Sequence, residues 1–337
     1  MRLAKRCRML LGMLGVGILS GCASIPEEKQ VTTLYMEGIE YPKRESSYMA
    51  CALGAARYLG YAQSEAWIYG SCGMAFFSHV TPKGLCWSYP TDWNSHECMP
   101  LLRNAGIALD EVPAPDGNRP GAIKELIRKG VPVSAWSGGI VDEEVLLVGY
   151  SDTPQGETVE YLFLNPVEKN QFHPWGRVGP ATQYSLVPPV DDRTTVKMGL
   201  QCAVDMNRDT RHFSPRSSMV MGYEALRVMA DLLTEKQELG GEFGYNIQVW
   251  EECRRNAAAF LGEANTRLAD DRLSARFEEA AKHAAIVHNE LKAIVDTFKT
   301  AGVPGGRHDE YARHLRKAHD AEKKAIETIE AILALME

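Results

Sequence analysis

The sequence predicts an α+β protein with helices and an antiparallel sheet in its first half and only helices in its second. A helical segment with a cysteine comes first, at Tyr48–Phe77. Closely spaced runs of β-branched and aromatic residues follow after residue 130, which is typical of strands. From about residue 200 the apolar positions recur at the three-and-four spacing of helices. A chain of 337 residues is long enough for about two domains.

Composition excludes several classes of function. The chain is 45% hydrophobic and 24% charged, which is ordinary for a globular protein. Its formal net charge of -7 and pI near 5.8 argue against a nucleic-acid partner. The sequence contains no phosphate-binding loop, Rossmann glycine fingerprint, HExxH motif or paired CxxC zinc signature. We therefore expect no cofactor and no bound metal.

The first residues form a targeting segment. A basic head precedes an apolar run, Met9–Leu19, which is too short to span a bilayer. The run ends in Leu19-Ser20-Gly21-Cys22, which resembles a bacterial lipoprotein cleavage box. The resemblance implies a signal peptide at residues 1–21 and lipid on Cys22. Residues 22–42 are polar and lack periodicity, so we expect a tether.

The lipid on Cys22 would make the membrane the protein's first partner. Several acyl chains anchor a protein stably without a transmembrane helix. Ala23, in the position after the lipidated cysteine, favours sorting to the outer membrane of a Gram-negative bacterium. We therefore expect a lipid-anchored protein on the periplasmic face of the cell envelope.

Export would place the remaining cysteines in an oxidising compartment. Cys86 and Cys98 flank a loop rich in Trp, Pro, Asp and Asn, and we expect a disulfide between them. Other pairings stay open, because the same compartment would hold Cys51, Cys72, Cys202 and Cys253.

The cysteine segment begins the first domain. Cys51 is expected at the head of a short amphipathic helix, followed by a turn at Gly60, a second helix that opens at Ser64-Glu65 and a turn around Gly70–Gly73. A cysteine at a helix start can be a nucleophile, because the helix dipole favours thiolate there. It can equally be a small buried hydrophobe.

Short helices and strands fill the rest of this domain. Helices are expected at Pro100–Ala105 and Gly121–Lys129, the second ended by Gly130. Strands are expected at Val131–Trp136, Val145–Tyr150, Val159–Asn165 and, more weakly, Gln183–Val187. We place the first domain at residues 43–200.

The second domain, residues 201–337, is expected to be a helical bundle. Its helices are predicted at Tyr223–Leu233, Ile247–Leu268, Arg272–Thr300 and Asp309–Met336. The last has a narrow apolar stripe, which packs in a bundle or a short coiled coil. This domain could bind a protein partner at the membrane surface.

Several short motifs resemble the BtrH-like N-terminal domain family, which includes the butirosin-biosynthesis acyltransferase. In the cysteine segment they are Cys51, Gly60, Ser64-Glu65-Ala66, Gly70, Gly73, Phe76 and Phe77. Further along they are Lys129–Val133, Val145–Tyr150 and Leu164-Asn165-Pro166, with Tyr223–Leu226 and Asn256–Leu261 in the helical half. Bacteriocin-processing cysteine peptidases share the same papain-like plan.

The resemblance implies a papain-like fold with a Cys–His–Asp/Asn site for transfer or hydrolysis of an acyl group. In such a site a thiolate attacks the carbonyl, an imidazole carries the proton and an Asp or Asn orients the imidazole. By position, Cys51 would be the nucleophile and Asn165 the orienting residue, acting on an acyl or peptide-like substrate.

The chain departs from the family at the histidine. Glu143, or Glu144 with a one-residue slip, occupies the expected histidine position. A carboxylate beside a thiol raises its pKa, whereas an imidazolium lowers it. Loop residues could supply an imidazole instead: His79, His96 or His173.

Three hypotheses follow, and the sequence leaves open whether the protein is an enzyme. The first is an envelope-anchored cysteine acyltransferase, peptidase or amidohydrolase. The second is a catalytically inactive member of the same fold that acts as a binding or scaffolding lipoprotein. The third is that the helical half is the working part and mediates assembly at the membrane surface, with the α+β domain as its support.

Overall fold

The computed structural model describes residues 33–80, 98–113, 118–136, 143–152, 159–164, 169–174, 179–208, 219–235, 241–301 and 306–337. This part of the chain is mixed α+β and mostly helical, which confirms the α+β class that the sequence predicts. It contains eight α-helices, a sheet of seven strands and a separate pair of strands. Within it, no helix is long and apolar enough to cross a membrane.

The helices agree well with the predicted ones where the apolar period is long. They are α1 (Ser47–Tyr58), α2 (Glu65–Ser71), α3 (Arg119–Arg128), α4 (Asp192–Arg208), α5 (Tyr223–Thr234), α6 (Gly241–Leu268), α7 (Asp271–Ala301) and α8 (His308–Met336). Short 3₁₀ helices lie at Met74–Phe76 and Met99–Arg103. The second 3₁₀ helix covers most of the helix expected at Pro100–Ala105.

The strands include several that the sequence did not predict. They are β1 (Thr33–Tyr35), β2 (His79–Val80), β3 (Ile107–Glu111), β4 (Val133–Trp136), β5 (Glu144–Asp152), β6 (Val159–Leu164), β7 (Lys169–Pro174), β8 (Ala181–Leu186) and β9 (Val220–Met221). The large sheet has the order β3-β8-β4-β5-β6-β7, and β1 also pairs with β5. β2 and β9 form the small antiparallel pair.

β1 lies inside the segment that we expected to be a tether. It pairs antiparallel with β5, with Tyr35 opposite Gly149. A Cβ atom on Gly149 would lie 2.6 Å from the carbonyl oxygen of Leu34, so glycine lets β1 approach β5 this closely. The end of the predicted tether is therefore part of the folded unit.

The chain forms two compact units that interleave along the sequence. The first comprises residues 1–43, 50–61 and 110–185, and the second comprises residues 44–49, 62–109 and 186–337. The sequence instead predicted a single boundary near residue 200. The first unit contains most of α1, helix α3 and most of the large sheet, and the second contains α2 and the helices from α4 onwards.

The second unit is a helical bundle. In it α2 packs against α6, with the rings of Trp67 and Phe260 5.6 Å apart. The side chain of Ser64 accepts a hydrogen bond from the backbone N–H of Trp67 at 2.9 Å, so it caps the N-terminus of α2. This confirms the helix start predicted at Ser64-Glu65.

Candidate functional site

Cys51 lies in the second turn of α1 and not at its start. The helix begins at Ser47, and the Cys51 side chain is completely buried. The helix dipole acts mainly within the first turn, so it gives this thiol little help towards ionisation. Residues 49–56 are all buried, so this part of α1 is enclosed on every side and is not the amphipathic helix that we expected.

Glycine allows α1 to approach the sheet. A Cβ atom on Gly54, one turn after Cys51, would lie 2.3 Å from the carbonyl oxygen of Glu40 and 2.8 Å from Cδ1 of Leu146 in β5. No larger side chain fits there without displacing backbone. The close approach holds Cys51 near the start of β5.

The charges that act on the Cys51 thiol are carboxylates. Burial raises the pKa of Cys51 well above its ordinary value, and repulsion from Glu144 and then from Glu143 raises it further. Glu144 is the first residue of β5 and is buried, whereas Glu143 just before it is half-buried. Of the two positions left open by the sequence, Glu144 therefore has the stronger effect on Cys51.

Glu144 belongs to a buried polar cluster with Ser134 and Tyr184. The Ser134 hydroxyl, on β4, donates a hydrogen bond to Oε1 of Glu144 at 2.6 Å. The hydroxyl oxygens of Ser134 and Tyr184 lie 3.0 Å apart, and the Tyr41 hydroxyl donates to the Glu144 backbone carbonyl at 3.3 Å. Neither Ser134 nor Tyr184 was predicted as a site residue. Ser134 carried a signal, as a polar residue in an otherwise apolar strand, whereas β8, which contains Tyr184, is mostly polar.

Burial also changes the acidity of Glu144. It raises the pKa of Glu144 to about 7, with the hydrogen bond from Ser134 opposing the rise and the charge of Glu143 adding to it. Near neutral pH, Glu144 therefore exists in both its protonated and its ionised form. Neither form makes a thiolate more favourable at Cys51, because one is neutral and the other repels it.

The histidine that the family plan requires does not lie beside Cys51 in the described part of the chain. No hydrogen bond there joins Cys51 Sγ to an imidazole. His173 lies opposite Tyr161 in β6, which lies opposite Tyr150 in β5. Tyr150 comes six residues after Glu144, so this position is roughly 20 Å along the sheet from the start of β5.

The other candidate histidines give no support to an imidazole at Cys51. His79 is buried in the second unit, with its ring 5.0 Å from that of Phe77 in an edge-on arrangement. His96 lies outside the described residues. Among the residues that the structure describes, no group of His, Cys, Asp and Glu could hold a metal ion.

Three predicted residues lie outside the described part of the chain: Asn165, Cys22 and Cys86. Leu164, which precedes Asn165, lies opposite Leu146 near the start of β5. Cys98, the predicted partner of Cys86, is described and buried. Its sulfur lies 3.1 Å from that of Cys202, a contact that the sequence analysis did not predict.

Comparison with known proteins assigns the chain to no family. It matches no protein-family model, and no curated protein is significantly similar to it. The resemblance to BtrH-like domains therefore depends on the short motifs quoted above.

Proposed function

We propose that this protein is a non-catalytic lipoprotein of the bacterial cell envelope, built on a papain-like, BtrH-like plan, that acts by binding. The observation that carries this proposal is the burial of Cys51 beside Glu144. Catalytic acyl transfer or amide hydrolysis through Cys51 is the competing function, and the test below separates the two.

The papain-like plan is supported by the order of parts around Cys51. A cysteine helix packs on the sheet through Gly54, and the strand expected to carry the histidine begins at Glu144. The strand expected to precede the orienting residue is β6, whose last residue Leu164 pairs with Leu146. In a papain-like site these are the three elements that supply nucleophile, base and orienting group.

The chemistry of Cys51 supports an inactive site. The nucleophile in thiol enzymes is the thiolate, and a useful one has a lowered pKa and access to substrate. Cys51 has a raised pKa, carboxylates as its charged neighbours and no exposed surface. Each of these three properties is the opposite of what catalysis needs.

A binding role then belongs to another surface of the protein. Because Cys51 is enclosed, the position of the papain-like active site offers no opening to an acyl or peptide-like substrate. We assign binding of a protein partner at the membrane surface to the helical bundle formed by α5, α6, α7 and α8. The lipid on Cys22 would keep this bundle at the envelope.

Thiol reactivity tests the proposal. The folded protein is treated with iodoacetamide over a range of pH, and alkylation of the Cys51 peptide is followed by mass spectrometry. We expect labelling far slower than in the same protein unfolded in denaturant, because burial hides the thiol and raises its pKa.

The matched control is Glu144→Gln, which removes the nearest negative charge and keeps the shape of the side chain. It should leave Cys51 slow to react, because burial is the larger cause of the raised pKa. Rapid labelling of wild-type Cys51 at neutral pH, with a rate above that of the unfolded chain, would show an activated nucleophile and refute the proposal.

A further inference from the structure

The second unit contains a pair of cysteines that the proposed function does not use. Cys98 lies just before the 3₁₀ helix Met99–Arg103, and Cys202 lies in α4. Their sulfur atoms are 3.1 Å apart, although the residues are separated by 104 positions in the sequence. Cys98 is completely buried and Cys202 is 5% exposed.

We infer that Cys98 and Cys202 form a disulfide bond in the mature protein. A covalent S–S bond is about 2.05 Å long, so the two sulfur atoms need to approach by only about 1 Å. This pairing replaces the predicted Cys86–Cys98 bridge, because Cys98 can form only one disulfide.

The turn at Gly70–Gly73 makes room for this pair. Gly73 has a positive φ of 77°, and a Cβ atom there would lie 2.7 Å from Cys202 Sγ and 3.0 Å from Cys202 Cβ. Any side chain at position 73 would occupy the space of the Cys202 sulfur. The glycine that the sequence marked as a turn residue thus also gives Cys202 the space to face Cys98.

The neighbouring cysteines are less suited to pair with either sulfur. The Cys72 thiol lies 3.4 Å from the carbonyl oxygen of Ile68 and 3.6 Å from that of Tyr69, as a donor to the helix that precedes it. The Cys72 sulfur is thus directed to carbonyl oxygens of its own helix, whereas the sulfur atoms of Cys98 and Cys202 are in contact with each other.

The bond forms by thiol–disulfide exchange with an external disulfide, such as oxidised glutathione or the disulfide of an oxidoreductase. The thiolate of one cysteine attacks that disulfide, which gives a mixed disulfide and releases one thiol. The second cysteine then attacks the mixed disulfide and releases the other thiol. Cys98 and Cys202 lose two protons and two electrons, and the external disulfide is reduced to two thiols. Export, as predicted from the lipoprotein signal, would supply such an oxidant.

The experiment uses the detergent-solubilised full chain refolded from denaturant in oxidised glutathione. The protein is then unfolded again in denaturant with N-ethylmaleimide, so that buried thiols are accessible, and digested without reduction. Mass spectrometry should find the Cys98 and Cys202 peptides joined, and reduction should separate them. A Cys86–Cys98 linkage, glutathione adducts on both cysteines or full blocking of both by maleimide would overturn the inference.

A matched pair of variants tests the same bond by stability. Wild type and Cys253→Ser should both melt at a higher temperature when oxidised than when reduced, because the cross-link restricts the unfolded chain. Cys202→Ser should lose this difference between oxidised and reduced protein. The assignment would be contradicted if the melting temperature of Cys202→Ser still differed between oxidised and reduced protein. It would also be contradicted if only Cys253→Ser lost that difference.

Discussion

Glu144 adds to the effect that burial has on Cys51, because its carboxylate, at the start of β5, repels a thiolate. Where the family plan has an imidazole, which can take a proton from the thiol and hold a positive charge, this chain has a carboxyl group with a pKa of about 7. Ser134 donates to it at 2.6 Å and Tyr184 continues the hydrogen-bonded cluster. A carboxyl group in this buried cluster does not favour a thiolate, so the thiol stays neutral.

The raised pKa of Glu144 predicts how stability depends on pH. Its pKa is about 7 when folded against an ordinary 4.5, so between these values the folded state binds more protons than the unfolded state. The contribution of Glu144 to stability is therefore greatest below about pH 4.5 and is lost as the pH rises through 7. At about 1.4 kcal/mol per pH unit, the loss amounts to about 3 kcal/mol.

Glu144→Gln should remove this loss, because glutamine does not titrate. Urea unfolding at a series of pH values should give a flatter dependence between pH 5 and 8 than in wild type, by about 3 kcal/mol. Glu111→Gln, which changes an exposed carboxylate on the edge strand β3, should keep the wild-type slope. An identical slope in wild type and Glu144→Gln would show that Glu144 does not titrate in this range.

At the scale of elements, helices approach each other closely at glycine residues. The sequence alone does not show which glycines lie at these contacts. In α4, a Cβ atom on Gly199 would lie 2.4 Å from the carbonyl oxygen of Gly70 in α2. A Cβ atom on Gly70 would in turn lie 1.9 Å from the ring of Phe260 in α6. These glycines bring α2 into contact with both α4 and α6.

Gly199→Ala should destabilise the protein by about 1–3 kcal/mol, because the atom it meets is backbone and cannot move aside. Gly262→Ala in α6 is the control, since a Cβ atom there would meet nothing within 4 Å. It should stabilise the protein by about 1 kcal/mol through helix propensity alone. Chemical denaturation of both variants measures the contrast, and equal effects would contradict the packing described for α2 and α4.

A buried ion pair joins α6 and α8. Nε of Arg254 lies 2.9 Å from Oε2 of Glu322, and both side chains are almost completely buried. The Arg254 guanidinium also donates to the Phe77 carbonyl at 2.5 Å and to Ser78 Oγ at 3.0 Å. This network ties the helices to the segment that follows the first 3₁₀ helix.

Glu322→Ala should cost about 3–5 kcal/mol of stability, because it leaves the Arg254 guanidinium buried without its counter-charge. Glu279→Ala provides the comparison, since Glu279 pairs with Arg276 on the surface at 3.1 Å. It should cost less than about 1 kcal/mol. Similar free energies of unfolding for the two variants would contradict a special role of the buried pair in stability.

The elements that the sequence predicted well are those with a strong internal signal. The helices α6, α7 and α8 have long apolar periods, and α2 has a capping serine. β1 was missed because it is short and is held in place by pairing with the distant strand β5. β7 was missed because it is polar, although it pairs with β6 directly before it. α4 was missed although its buried positions, among them Val196, Leu200 and Val204, follow helical spacing.

At the scale of the whole molecule, the two units take their segments alternately from the chain. Residues 62–109 belong with the helices after residue 186, while residues 110–185 form most of the sheet unit. Local sequence patterns predicted the helices and strands but not this interleaving of the two units, because the interleaving depends on contacts between residues far apart in sequence. The Cys98–Cys202 pair was hidden for the same reason: a disulfide partner is chosen by three-dimensional proximity and not by spacing.

The proposed cross-link should matter most for the second unit, which contains both cysteines. A disulfide that closes a loop of about 100 residues stabilises a protein by up to about 4.7 kcal/mol through the entropy of the unfolded chain. Residues 98 and 202 are separated by 104 positions, and every strand of the large sheet except β1 lies between them in the sequence. Reduction is therefore expected to lower the urea midpoint of the full chain, and an unchanged midpoint would argue against the bond.

The proposed lipid anchor would depend on Cys22. Growth of a Gram-negative host with an alkyne-tagged fatty acid should label the wild-type protein, and Cys22→Ala should remove the label because the acyl chains have no attachment site. Cys72→Ser, which changes a buried cysteine, should keep it. Labelling of Cys22→Ala at the wild-type level would contradict the predicted lipid anchor.

The ionisation of Cys51 is the measurement that tests the non-catalytic assignment most directly. Thiolate absorbs in the far ultraviolet, and the difference in absorbance between wild type and Cys51→Ser isolates this one group as the pH is raised. We expect no Cys51 thiolate at neutral pH and ionisation only well above the ordinary thiol pKa, because of burial and the charges of Glu144 and Glu143. A Cys51 thiolate present at neutral pH would contradict the non-catalytic assignment.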